Sequence, residues 1–180
     1  MKKYFSIPLV IILFTVACGP KINQEQQEDL NDLSLKVDSS VELLTQVDSA
    51  NLMQMGNEFF KMKDYLTEEM NDTIKRETVF YLDSFISLKK PMGYITSKYA
   101  TLKVEALTMQ QQLRDLSQDV ENRLVDEEHF EKYYNLEKEN YIQLADAVSQ
   151  YEKAYIVSMR RYNSMKTKVD SIITASKTKE

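Results

Sequence analysis

A long amphipathic helix is predicted by residues 130–172, FEKYYNLEKENYIQLADAVSQYEKAYIVSMRRYNSMKTKVDSI. Alternating steps of four and three residues through this stretch meet an apolar or tyrosine side chain everywhere except at Glu137 and Ser158. The positions are Phe130, Tyr134, Glu137, Tyr141, Leu144, Val148, Tyr151, Tyr155, Ser158, Tyr162, Met165, Val169 and Ile172. A period of ~3.5 residues that lasts this long is typical of a helix lying lengthwise against partner helices.

Two earlier series of apolar residues extend the same pattern. One runs from Leu30 to Ile74 and the other from Tyr81 to Val120. Asp48 occupies the slot between Leu44 and Leu52, and the two successive steps of four there predict a stutter in a continuous helix. Because nothing in the body alternates like a strand, we expect an all-α fold, an elongated up-and-down bundle of three to four long helices with coiled-coil-like packing.

The number of helices depends on where the chain turns. Asp126 can cap a helix whose first turn carries Glu127 and Glu128, so a break near residue 125 is expected in either layout. A second break at 72 gives three helices of matched length, about 50 residues or ~70 Å each. Breaks at Gly56 and Pro91 instead give four, although the apolar pattern passes through Pro91 in phase and also suits a kinked continuous helix.

The amino terminus carries an export signal. Lys2 and Lys3 precede an apolar run, Phe5–Ala17, that spans only ~20 Å as a helix and is too short to cross a hydrocarbon core of ~30 Å. The sequence TVAC at 15–18 resembles the lipobox of bacterial lipoproteins, with Thr15 where leucine is usual. The resemblance implies cleavage before Cys18 and acylation of that cysteine. The alternative is an ordinary signal peptide that leaves a free thiol.

This interpretation divides the chain into four parts. Residues 1–17 are the signal peptide, 18–27 the lipidated cysteine and tether, 28–176 the helical bundle, and 177–180 a tail. The resemblance to coiled-coil lipoproteins of Bacteroidota implies an outer-membrane location. We expect the body to face the periplasm, with the cell surface as the alternative, because the first acidic residue after the cysteine comes only at Glu25.

The charge of the mature chain excludes one class of partner. The full sequence has 23 basic and 28 acidic residues, and loss of Lys2 and Lys3 makes the net charge of residues 18–180 equal to −7. An acidic chain disfavours nucleic acid and is not attracted to anionic lipid, so membrane attachment has to come from acyl chains on Cys18. The chain has no second cysteine, so an intramolecular disulfide is excluded.

Few residues suggest chemistry. His129 lies among Glu127, Glu128 and Glu131, but one helical turn rarely completes a metal site, and we interpret it as a solvated first turn. The Met53-Gln54-Met55 spacing suits Cu(I), yet most methionines fall on the apolar series and are expected to fill the core. No cofactor is predicted, and no nucleophile–base pair can be assembled from one histidine and an acylated cysteine.

Tyrosine is the unusual feature of the last helix. Tyr134, Tyr141, Tyr155 and Tyr162 lie at equivalent heptad positions. They either pack in a wide interface between the helices (the seam), with their hydroxyls at its rim, or form an open aromatic face for a partner. Together the features predict a non-enzymatic envelope protein that acts as an adaptor, spacer or assembly factor with a protein partner. The alternative is a binding module that holds a metal, haem or apolar ligand in a seam lined by Tyr and Met.

Overall fold

The chain folds into three arms, each antiparallel to the next one along the chain. The computed structural model describes residues 22–70 and 75–178, and the predicted signal peptide, Cys18 and the last two residues of the predicted tail lie outside them. The first arm contains α1 (Gln24–Thr45), α2 (Ser49–Asp64) and a short π-helical segment, Tyr65–Glu69. The second contains α3 (Arg76–Ile86) and α4 (Lys89–Glu121), and the third is the single helix α5 (Glu127–Lys177).

Contacts between the arms fix their directions. Gln26 donates to Glu131 at 2.8 Å, and the hydroxyls of Tyr65 and Ser176 lie 2.8 Å apart at the opposite end, so the first arm runs parallel to α5. Gln110 of α4 donates to Asp38 of α1 at 2.6 Å, and α1 also contacts α5. The described residues contain no strand, and the expected all-α up-and-down bundle is confirmed.

Helix ends are set by local hydrogen bonds. At the start of α1, Asn23 and Gln26 form a reciprocal capping box with two bonds of 2.9 Å. Asp126 caps α5 by accepting from the backbone N–H of His129 at 2.9 Å, as the sequence predicts. α4 ends in a Schellman motif, with Arg123 at φ 57° and the Leu124 N–H bonded to the Asp119 carbonyl.

The structure corrects the predicted helix breaks. The break predicted at Gly56 is wrong, because Gly56 lies inside α2, where a Cβ would come 2.6 Å from Cγ2 of Thr96 and would have to displace that side chain. Pro91 lies in the first turn of α4, where backbone N–H groups make no hydrogen bond within the helix, so the lack of an N–H in proline costs no bond there. The predicted break at 72 lies outside the described residues, but the arms on either side of it have the expected three-arm arrangement.

The predicted stutter at Asp48 is a true interruption of the first arm. α1 ends at Thr45 and Asp48 caps α2 through the Asn51 N–H at 3.0 Å. The Val47 carbonyl freed by this break accepts from the buried Tyr99 hydroxyl at 3.3 Å. A side chain from the second arm therefore supplies the hydrogen bond that the Val47 carbonyl lacks within the first arm.

The bundle begins earlier than the predicted boundary at residue 28. Ile22 and Gln26 are buried, and α1 starts at Gln24. At the other end α5 extends to Lys177, one residue beyond the predicted end of the bundle. The predicted tether from Cys18 is therefore short, because the chain already joins the core at Ile22.

Candidate functional site

The four tyrosines singled out from the sequence do not form an exposed stripe. Tyr134 and Tyr162 are 8% and 1% exposed, and Tyr141 and Tyr155 are half-buried. Tyr134 stacks on Phe130 with centroids 5.7 Å apart, and Tyr155 stacks on Tyr151 at 6.1 Å. The hypothesis of an open aromatic face is therefore corrected, since these rings have their partners within the bundle.

The hydroxyl of Tyr162 lies at the rim of the seam, where it contacts a small cluster of charged side chains. It donates to Glu58 at 3.2 Å, and Glu58 also pairs with Lys166. The hydrogen bond from Lys166, helped by those from Gln54 and Tyr162, lowers the pKa of Glu58 to about 2. This cluster joins α2 to α5 through the contacts of Glu58 with Tyr162 and Lys166, so we assign it a structural role.

The methionine and histidine candidates are not assembled into metal sites. Met53 is exposed whereas Met55 is buried, so the two sulfurs of the suggested Cu(I) pair lie on different faces of α2. His129 directs Nδ1 to the Asp126 carboxylate at 2.7 Å. Within 22–70 and 75–178, no group of three or more His, Cys, Asp or Glu side chains is arranged to hold a metal ion.

The surface feature that remains is a groove along the outer side of α4 and α5. Three adjoining cavities form it, and the larger two have volumes of about 390 Å³ each. The cavity next to Tyr94 and the central cavity share Glu105 and Gln143 in their linings. The central cavity and the one next to Asp119 share Gln112. We call this feature the α4–α5 groove; it follows α4 from Tyr94 to Asp119, which is ~38 Å of helix.

The groove is polar in its middle and acidic overall. Thr, Gln and Asn side chains dominate the central cavity. The charged residues of its lining are Glu105, Asp115, Asp119, Glu137 and Asp146 against the single base Lys98. No ion pair within the described parts of the chain includes any of these acids. The lining of the groove therefore carries a net negative charge.

Glu137 is the most unusual residue of the groove. It occupies a core slot of the α5 heptad, is only 9% exposed, and lines the cavity beside Asp115 and Asp119. Its Oε2 has no hydrogen-bond partner among the described residues. Burial raises the pKa of its carboxyl, and the neighbouring Asn140 side chain partly opposes this shift. A buried carboxylate with a free oxygen costs stability unless something pairs with it.

Replacing this carboxyl is expected to stabilise the free protein. Glu137→Gln keeps the shape of the side chain and removes the charge, so the free energy of unfolding at pH 7 should rise by about 1 kcal/mol. This gain in the free energy of unfolding should shrink as the pH falls toward 4.5, the pKa of an unperturbed Glu, because the carboxyl of the native protein then becomes protonated. Urea titrations at several pH values measure this. Glu139→Gln, on the exposed face, is the control and should change little.

The acidic groove belongs to a wider gradient of charge along the bundle. Acids outnumber bases at the end formed by 22–36 and 112–135, which holds Ile22 and the α4–α5 connection. Bases outnumber acids at the opposite end, which includes Lys61, Lys63, Lys75, Arg76, Lys89, Lys90, Arg160, Arg161, Lys166, Lys168 and Lys177. The end next to the predicted anchor is therefore the acidic one.

Comparison with known proteins gives no assignment. The chain matches no family model, no curated protein and no solved structure. None of the helices in the described residues has a stretch that is sufficiently long and apolar to span a bilayer.

Sequence reasoning did not identify the groove as a candidate site. It did place Glu137 in a core slot of the long helix, and a charged residue in such a slot was the available signal. The Asp115 and Asp119 side chains that accompany it come from α4, and only the pairing of the two helices brings these carboxylates together.

Proposed function

We propose that this chain is a lipid-anchored, non-enzymatic protein of the bacterial envelope whose helical rod acts as an adaptor, spacer or assembly factor. The observation that carries the proposal is the burial of Ile22, four residues after Cys18. A link this short spans at most ~14 Å, so acyl chains on Cys18 would hold the base of the rod close to the bilayer surface.

The dimensions of the bundle support a spacing role. α5 has 51 residues and is therefore ~76 Å long. Since Ile22 and Ser176 lie at opposite ends, the rod would place its basic end that far from the anchored end. The acidic residues around the base do not attract anionic lipid, which favours a rod that stands away from the membrane.

The rival function, ligand binding within the seam, has less support. Met62, Met92, Met109 and Tyr162 are buried in a packed core, and the cavities that flank α4 are open grooves at the surface. Haem and apolar ligands need an enclosed, mostly apolar pocket, and catalytic sites need a concave one with convergent polar groups.

Cys18→Ser tests the anchor. We expect the wild-type chain to stay with membranes through high-salt and carbonate washes and to be released by detergent, and to incorporate a labelled fatty acid. The Ser variant should lose the label and either move to the soluble fraction or remain unprocessed, because acyl chains supply the membrane affinity.

Two controls separate anchoring from folding. The helical circular dichroism and melting temperature of the Ser variant should match those of the wild type, since the bundle begins beyond residue 18. A Ser variant that is processed normally and remains membrane-bound after the washes would contradict lipid anchoring.

A further inference from the structure

We propose that the α4–α5 groove is the docking site for a basic helix of a partner protein, with a lysine or arginine of that helix paired to Glu137. This inference rests on the proposed adaptor function, because it names the chemistry of the partner that the adaptor holds. The groove lies on α4 and α5 alone, so it stays accessible when the first arm is packed in place.

The shape of the groove suits a helix. Two long helices pack side by side and leave a valley of ~38 Å between them, which matches a helix of about 25 residues. An amphipathic helix that docks lengthwise into a groove is a recurring mode of peptide recognition. Val104 and Tyr133 line it and are 63% and 44% exposed, so an apolar side of the incoming helix has surface to cover.

The charge of the groove specifies a basic occupant. Asp115, Asp119 and Glu137 line one cavity at its acidic end, and no cation among the described residues lies within ion-pair distance of them. Asp115 accepts a hydrogen bond from Gln111, which leaves its charge in place. The negative potential of these acids would attract a cationic side chain entering here, whereas an acidic helix would be repelled.

Glu137 is the feature that distinguishes this cavity from an ordinary solvated acidic face. Carboxylates at the surface are fully hydrated and do not reduce the stability of the fold, whereas the Glu137 carboxylate is buried with Oε2 unpaired. Because Oε2 is closed to solvent in the free bundle, an ammonium or guanidinium in the groove pairs with it only if the Glu137 side chain turns outward. We infer that the bundle retains a carboxyl that destabilises it because the carboxyl recognises the partner.

The test uses full-length protein purified from membranes in detergent and a fluorescent amphipathic peptide of ~25 residues, ~38 Å as a helix, built from Leu, Ala and Lys. Asp115→Asn, Asp119→Asn and Glu137→Gln are combined in one variant. The matched control combines Glu25→Gln, Glu28→Gln and Asp29→Asn, which removes the same charge at the same end of the rod from exposed positions of α1.

We expect the groove variant to bind the peptide about tenfold more weakly than wild type, and the control variant to stay within about twofold. The peptide with Glu in place of Lys should not bind. Equal loss in both variants would show attraction to net charge only and would overturn the proposal. No binding to wild type, or no effect of either variant, would overturn it as well.

A photocrosslinker placed at Gln112 locates the occupant. It should join the basic peptide, whereas the same crosslinker at Ile142, on the outward face of α5, should not. In cells the segment captured from Gln112 should be rich in Lys and Arg, and capture of an acidic segment or of a second copy of this chain would contradict the assignment.

These measurements are independent of the anchor. If Cys18→Ser stays membrane-bound while the groove variant loses peptide binding, the anchor is wrong and the docking site stands. If anchoring holds and the two variants bind alike, only the docking site is wrong.

Discussion

Leu144→Asp is expected to destabilise the protein by about 4 kcal/mol, which for a chain of this size lowers the melting temperature by roughly 10 °C. Leu144 is 5% exposed in the middle of α5, where it belongs to the core and lies beside Met109 of α4. An aspartate there has no cation within the core to pair with, so the charge would be buried without compensation or the helices would have to separate.

Thermal and urea unfolding followed by circular dichroism measure this effect. Ile142→Asp is the control, because Ile142 lies two residues away on the same helix and is 56% exposed. The control should change the free energy of unfolding by less than about 0.5 kcal/mol. Equal effects of the two substitutions would mean that the inward face of α5 has been assigned incorrectly.

Phe59→Ala is the second large change, with an expected cost of about 3–5 kcal/mol. The Phe59 ring is fully buried where α2 meets the other two arms. Its centroid lies 5.0 Å from that of Phe85 and 6.4 Å from that of Tyr162. Removal of the ring leaves a cavity among aromatic neighbours that cannot collapse without moving three helices, and it also removes the favourable edge and tilted ring contacts.

Phe80→Ala is the matched control for this aromatic deletion. Phe80 lies on α3, is 63% exposed and contacts Arg76 above its ring at 5.6 Å. Loss of that exposed contact should cost no more than about 1 kcal/mol. If Phe59→Ala costs no more than Phe80→Ala, the first arm is not packed on the rest of the bundle in solution as the structure shows.

The heptad pattern predicted the buried face of α5 almost completely, because burial in a bundle follows the spacing of apolar residues along the helix. Even its two exceptions were informative. Glu137 and Ser158 interrupt the apolar series in the sequence, both are buried, and each has a side-chain oxygen without a partner in the described structure. The pattern placed these residues correctly, but it could not show what surrounds them.

The breaks within arms were less predictable, because they depend on contacts between arms. Beyond the end of α1 at Thr45, the Val47 carbonyl accepts a hydrogen bond from the Tyr99 hydroxyl, and these two residues are far apart in sequence. Gly56 resembled a helix terminator, whereas the close approach of Thr96 explains why a glycine is there. In both cases the deciding atoms belong to α4, so local sequence could not identify them.

The Glu137 substitution links stability to recognition. If Glu137→Gln strengthens the fold and weakens peptide binding together, the carboxyl is kept for its partner at the expense of the free protein. If it strengthens the fold and leaves binding unchanged, the residue is only a tolerated defect of the core.

An odd number of arms places Ile22 and Ser176 at opposite ends of the rod, with the first arm and α5 parallel. Tension applied between the amino-terminal and the carboxyl-terminal ends of the rod would act along the helix axes. The two arms would then have to slide past one another, so that the contacts between them would break together instead of one at a time. Such a shear geometry resists force better than a geometry in which the contacts break in sequence.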